Sequence, residues 1–206
     1  MASILLICNG QMPDRDVAVG LAGDSDVIVA ADGGANRALE LGIHPDVVVG
    51  DMDSVTSKTR TQLANSNFHR VENQNLCDFE KALDFIVSQK YSDVTVIGID
   101  GYRFDHTLSN FSIIWRYLPR LNFSFYGMGW RGFPVISEKK IEANIGATVS
   151  LIPFGDCEGI FLKGLRYPLS DAELCVGQTA VSNEVVESPF EITIRKGKLL
   201  TIILNS

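Results

Sequence analysis

The chain has 206 residues, of which 46% are hydrophobic and 21% charged. It is long enough to bury a core without disulfide or metal staples, and its composition excludes a disordered chain. A formal net charge of −7 excludes a protein built mainly to grip nucleic-acid backbones, but not one that binds small phosphates at a local site.

Residues 3–8 read as a buried strand that ends at Asn9-Gly10. This apolar run lacks a basic leader and is too short for a targeting segment. No stretch approaches the roughly 20 apolar residues that span a bilayer. Cys8, Cys77, Cys157 and Cys175 are scattered without metal-site spacing, as reduced thiols would be. The expectation is a soluble cytoplasmic protein without membrane or nucleic-acid partners.

Residues 26–31 form a second strand, closed by Asp32-Gly33-Gly34. Ala35, Ala38 and Leu39 follow at helical spacing, and Gly42 is placed to stop that helix. Val47-Val48-Val49 is a third strand, ending at Gly50-Asp51. Residues 57–66 are weakly helical. Residues 78–90 are a strong helix, with Phe79, Ala82, Leu83, Ile86 and Val87 on one apolar face. Residues 93–98 are a β-branched strand, and residues 106–118 a helix with Leu108, Phe111, Trp115 and Leu118 on one face. Residues 122–126 are another strand. This alternation predicts a Rossmann-like, mostly parallel sheet covered by helices.

After about Gly127 helical periodicity fades. Val149 and Leu151 alternate with Thr148 and Ser150, and Ile192 and Ile194 with Glu191, Thr193 and Arg195. Lys196-Gly197 is a turn before a strand over residues 199–204. These short strands predict a small antiparallel β-sandwich. The fold class is therefore α/β followed by all-β. The boundary falls within residues 127–142 and is drawn between domains 1–130 and 131–206.

The acids fall where strands end: Asp32 after the second strand, Asp51 and Asp53 after the third, Asp78 at a helix start, Asp105 before another helix. In an open parallel sheet those loops form one crevice. In an extended segment Asp51 and Asp53 point the same way and can face one cation, and oxygen ligands favour magnesium. The competing reading of Asp53 or Ser54 is a helix cap, and the same holds for Asp78. Asp32-Gly33-Gly34-Ala35-Asn36 is either an ordinary tight turn or a place where backbone approaches a ligand. Arg103 can hold a phosphate with its guanidinium fork. His106 beside Asp105 is either a general base or a polar residue of a helix's first turn. Trp130, in a glycine-rich connector, either stacks on a ligand ring or anchors a linker. Ser182-Asn183 is either a turn or a ligand contact.

Together these pieces resemble the thiamine pyrophosphokinase family. The resemblance rests on Asn9-Gly10, the Asp-Gly-Gly-Ala-Asn run at 32–36, and Pro45-Asp46 leading into Gly50-Asp51-Met52-Asp53-Ser54. It continues with Asp78-Phe79-Glu80-Lys81-Ala82-Leu83, Arg103-Phe104-Asp105-His106, Gly164-Leu165-Arg166-Tyr167-Pro168-Leu169 and Ser182-Asn183-Glu184. Each motif is weak; their ordered combination, across nearly the whole chain, is specific.

The resemblance implies Mg-dependent transfer of diphosphate from ATP to thiamine, giving thiamine diphosphate and AMP, by a homodimer. It implies Asp51, Asp53 and Asp78 as magnesium ligands, with Arg103 and Asp105 beside them in catalysis. It places Asp32, Gly33, Gly34 and Asn36 near the nucleotide, Gln74 in the ATP and thiamine pocket, and Ser182 and Asn183 near thiamine. The chain departs from the family at Asn75, where an Asp is usual, at Cys77, where a Thr is usual, and at Tyr102, where a Gly is usual. A Tyr is costly if that position needs positive φ. Two other readings were weighed: a pyrophosphokinase for another heterocyclic alcohol such as a pterin, and a non-catalytic nucleotide or thiamine sensor. The motifs at 164–169 and 182–184 count against the first, and the retained acid cluster against the second.

Overall fold

The computed structural model describes residues 2–178 and 180–204. The chain divides into two compact units, Met1–Met128 and Gly129–Ser206.

The first unit contains six strands: β1 (Ser3–Ile7), β2 (Val27–Ala31), β3 (Val47–Gly50), β4 (Asn67–Arg70), β5 (Asp93–Ile97) and β6 (Asn122–Gly127). They pair in the order β6-β5-β1-β2-β3-β4, and every pair is parallel. Five helices connect them: α1 (Arg15–Gly23), α2 (Gly34–Leu41), α3 (Ser57–Gln62), α4 (Asp78–Ser88) and α5 (Phe104–Tyr117). Leu5 and Ile7 of β1 pack with Ala18 of α1 and Ala38 of α2. Ile4 and Leu6, which alternate to the other face, are equally buried, so both faces of the sheet are covered. α4 packs on β2 and β3, and against α5.

From β1 the chain builds outward to β4, then crosses back to place β5 on the other side of β1. The order therefore reverses between β1 and β5. A crevice opens at the carboxyl ends of the strands where such a reversal occurs.

α1 and β4 are absent from the expected elements. α1 carries Gly20 and Gly23 in nine residues, and β4 (Asn-Phe-His-Arg) is a mostly exposed edge strand without an apolar pattern. Gly42 ends α2 in the left-handed conformation, φ 79°, as its position predicts. Leu108, placed on the apolar face of α5, is instead exposed. The helix buries Phe111, Ile113, Ile114, Trp115 and Tyr117.

The second unit holds two four-stranded antiparallel sheets. One is β12 (Ala180–Glu184), β9 (Thr148–Pro153), β14 (Leu199–Leu204) and β7 (Trp130–Val135). The other is β11 (Leu169–Leu174), β10 (Cys157–Lys163), β13 (Phe190–Thr193) and β8 (Glu138–Ile141). Val149, Leu151, Leu199 and Ile203 of the first share one core with Ile160, Leu162, Phe190 and Ile192 of the second. This is the sandwich that the alternation predicts. Trp130 is not in a connector: it is the first residue of β7.

Candidate active site

The loops after β1, β3 and β5, with the start of α4, enclose a cavity of about 480 Å³ in the first unit. Its walls include Asn9 and Gly10, Asp51 and Asp53, Gln74, Asp78 and Lys81, and the stretch from Gly98 to Arg103.

The loop after β3 is shaped by Asp32. This residue is fully buried at φ 41°, and its carboxylate accepts from the Met52 amide at 2.7 Å and the Ser54 amide at 3.0 Å. Gly50 is required there, since a Cβ on it would lie 2.6 Å from Oδ2 of Asp32. Burial raises the Asp32 pKa to about 6, against the two amide bonds that lower it.

Met52 itself is left-handed, φ 71°. The segment is therefore not extended, and the alternation that would aim Asp51 and Asp53 at one point does not apply. The three carboxylates that converge, with oxygens within 4.8 Å of one another, are Asp32, Asp51 and Asp78. Asp53 lines the same cavity, and its carboxylate accepts from the Ser54 hydroxyl at 3.0 Å.

Lys81 closes the cluster. Its side chain is only 2% exposed, and Nζ donates to Asp51 and to Asp78, each at 2.9 Å. Burial alone would lower the Lys81 pKa, but these bonds outweigh it and the pKa is raised. The same ammonium holds the Asp51 carboxyl well below the usual carboxylate range. Gln74 also donates to Asp51, at 3.3 Å. Asp78 is the first residue of α4 rather than its cap, which is Cys77. The Asp78–Lys81 spacing of three, one helical turn, was the sequence signal for this cation.

Arg103 also lines the cavity. Nε and Nη2 donate to the two oxygens of Asp105 at 2.9 and 2.6 Å, with both side chains about two-thirds exposed. The guanidinium holds the Asp105 carboxyl well below its usual range. Arg103 lines the cavity and Asp105 stands behind it.

The family model "Thiamin pyrophosphokinase, catalytic domain" matches residues 20–123, and "Thiamin pyrophosphokinase, vitamin B1 binding domain" matches residues 136–199. The chain belongs to the thiamine pyrophosphokinase family. Members of this family are diphosphotransferase enzymes. The thiamine pyrophosphokinase of Bacillus subtilis is 26% identical over 216 residues, covering 98% of each chain. Thiamine pyrophosphokinase 1 of Oryza sativa is 26% identical over 220 residues, covering 86% of this chain and 79% of its own. The solved thiamin pyrophosphokinase of Candida albicans superposes with a TM-score of 0.88 at 19% identity, covering 100% of this chain and 89% of its own, and so shares the fold.

The remaining residues that the family resemblance singled out fall in three places. Gly33, Gly34 and Asn36, with Asp32, do not line the cavity. A Cβ on Gly34 would lie 2.1 Å from the Ile7 carbonyl oxygen, and one on Gly33 2.4 Å from the Asn9 side chain. A Cβ at either position would run into the chain itself, so both positions need glycine. Asn36 braces the loop instead: Nδ2 donates to the Ser54 carbonyl at 2.8 Å, and Oδ1 accepts from the Thr56 amide at 3.1 Å.

Ser182 and Asn183 sit on β12 in the second unit, Ser182 at φ 61°. The Asn183 side chain accepts from the Tyr167 amide at 3.0 Å and donates to the Tyr167 carbonyl at 2.8 Å. Asn183 and Tyr167 border a hollow of about 210 Å³, lined mostly by Leu, Val and Ala.

Of the departures from the family pattern, Asn75 stands outside the cavity lining. Cys77 lines it and caps α4. At 101–102 the left-handed φ, 117°, falls on Gly101, so Tyr102 adopts its place without that strain. His106 lines the cavity from the first turn of α5.

Proposed function

We propose that this enzyme transfers the terminal diphosphate of ATP to the hydroxyethyl oxygen of thiamine, releasing AMP. The observation that carries this reading is the acid cluster around Lys81, placed on a cavity at the point where the strand order reverses.

One buried ammonium faces three carboxylates, so the cluster keeps an excess of negative charge that a further cation relieves. The donors are all hard oxygens, which fits magnesium. Asp51 and Asp78 would hold it, with Asp53 contributing from the same loop. Asp32, buried and engaged with two amides, positions that loop. Bound there, magnesium would neutralise charge on the phosphate oxygens as it develops.

The rest is done by positioning. The cavity would hold the thiamine hydroxyl in line with the β-phosphorus. The oxygen–β-phosphorus bond forms as the bond from the β-phosphorus to the AMP oxygen breaks, and the hydroxyl proton passes to solvent. Arg103 would leave Asp105 for the phosphate. The pair it leaves is exposed and solvated, so the exchange costs little. Ser182 and Asn183, within the stretch that matches the vitamin B1 binding domain, would contact thiamine. We read the active form as a homodimer.

All four cysteines are free thiols, and among the described residues no helix is long and apolar enough to cross a membrane. Both observations support a cytoplasmic location. The test is AMP release with thiamine, ATP and magnesium. The expected result is AMP and thiamine diphosphate in equal amounts, abolished by chelation. Absence of AMP with thiamine, while a hydroxymethylpterin supports its release, overturns the reading. Sedimentation velocity tests the dimer.

A further inference from the structure

Tyr102 is a large aromatic residue left 72% exposed on the cavity wall. One face of its ring is covered. The Arg37 guanidinium lies over it, 5.2 Å from the ring centre. Arg37 is held in turn by Glu40 at 3.0 Å, on the same helix. Nε of Arg37 is buried without a hydrogen-bond partner, so the guanidinium is packed in place rather than free in water.

The loop beneath the ring is pinned as well. The Gly10 amide donates to the Gly98 carbonyl at 2.9 Å, and the Gln11 amide to the Asp100 carbonyl at 2.7 Å. Gly101 is packed so closely on Gln11 that a Cβ there would come within 2.7 Å of it. The ring is thus a fixed, exposed, flat surface at a cavity that takes two substrates with flat rings.

We propose that Tyr102, backed by Arg37, is the platform on which the adenine ring of ATP stacks; this rests on the function proposed above. Charge selects between the two substrates. The π-face of a ring attracts cations, but here a guanidinium already occupies one face, and its positive charge opposes a second cation on the other. The thiazolium of thiamine is cationic and its neutral aminopyrimidine is tethered to that cation by a single methylene, whereas adenine is neutral and polarisable and carries no attached cation. Stacking a base on an aromatic ring is sequence-tolerant and needs no hydrogen-bond partner. Tyr102 is therefore a binding residue for the nucleobase, not for the phosphates.

Calorimetric titration tests this on the full chain, with a non-hydrolysable ATP analogue and, separately, inorganic tripolyphosphate, both with magnesium. Tripolyphosphate carries the phosphates without the base. Tyr102→Ala is expected to lower affinity for the analogue by roughly fivefold to a hundredfold. It should leave the affinity for tripolyphosphate as in the natural protein, and Tyr102→Phe should restore analogue binding. Three results overturn the proposal. In the first, Tyr102→Ala binds the analogue as well as the natural protein does. In the second, affinity for both ligands falls together, which assigns Tyr102 to loop structure. In the third, the KM for thiamine rises while analogue affinity holds, which assigns the ring to the other substrate. Binding does not require turnover. A natural protein that binds the analogue but releases no AMP sinks the proposed reaction and leaves the stacking to be judged on the titrations.

Discussion

Two ion-paired groups face the same cavity, and they are built in opposite ways. Lys81, with Asp51 and Asp78, is buried, braced by Gln74, and set on a loop that Asp32 and Asn36 hold from behind. Arg103 and Asp105 form a two-pronged pair that is about two-thirds exposed. Burial makes the first pairing expensive to disturb, because a charge that loses its partner there cannot recover full hydration. The second pairing is solvated and cheap to exchange. The cavity therefore has a rigid end, suited to fixing a metal and phosphates, and a movable end, suited to a group that changes partners during the reaction.

The largest effect is expected at the rigid end. Asp51→Asn should lower kcat/KM for AMP release by on the order of a thousandfold, several kcal/mol of transition-state stabilisation. Full activity in this variant would remove the metal assignment. Lys81→Met tests rigidity itself. It strands Asp51 and Asp78 without their cation, and should destabilise the metal-free protein by about 1–3 kcal/mol, less than a fully buried pair because Asp78 is 39% exposed. Magnesium should then raise the melting temperature of this variant more than that of the natural protein. Equal magnesium shifts in both would show that Lys81 does not share the cluster's charge with the metal.

The same division governs what could be read from the sequence. The movable end is legible in its members but not in its pairing: the sequence offers Arg103 for a phosphate and sets Asp105 beside His106, whereas the structure joins Arg103 to Asp105. The rigid end was legible in its members but not in its geometry. Asp32, Asp51 and Asp78 each follow a strand or open a helix, and topology alone brings such positions together. Asp51 and Asp53 point the same way only in an extended chain, whereas Met52 between them is left-handed at φ 71°. Backbone conformation in a short loop depends on what braces it, here the Asp32 carboxylate and a gap that only Gly50 leaves open. The glycines at 33–34 show the same limit. Sequence marks them as positions where something comes close, and packing shows that the chain itself does so on the side a Cβ would occupy. Strong helices and buried strands were readable because burial imposes a period. α1 and the edge strand β4 carry little buried surface and so little pattern.

Asp32 gives the rigid end a pH signature in metal-free protein. Its pKa is raised from 3.8 to about 6 by burial. The folded state therefore holds that proton more tightly than the unfolded chain. The contribution is fully present below about pH 4 and is lost as pH rises through about 6. Asp51, whose pKa is lowered, acts in the opposite sense: its contribution is present above about pH 4 and lost as pH falls below that. Between pH 4 and 6 the Asp32 contribution slopes downward with rising pH, opposed at the lower edge by carboxylates held below their usual range, such as Glu158 and Glu191. Urea unfolding in chelator across that range should show the slope, and Asp32→Asn should flatten it while lowering stability throughout. A slope that survives the substitution would assign it to another group.

The smallest effect on stability is expected at the movable end, where it separates the two designs most directly. Asp105→Asn removes the carboxylate that holds Arg103, yet both side chains are already largely in water. The urea midpoint should stay close to that of the natural protein, as expected for an exposed pair. Activity should respond more than stability does. Without Asp105 the guanidinium is no longer held at the edge of the cavity, and correct placement of a phosphate-binding cation is worth roughly tenfold to a hundredfold when it acts in the transition state. A kcat that falls while the urea midpoint stays fixed is the pattern of a movable catalytic group. If instead the midpoint shifts as far as it does in Lys81→Met, then Arg103 and Asp105 hold the loop together, and the contrast between the two ends of the cavity fails.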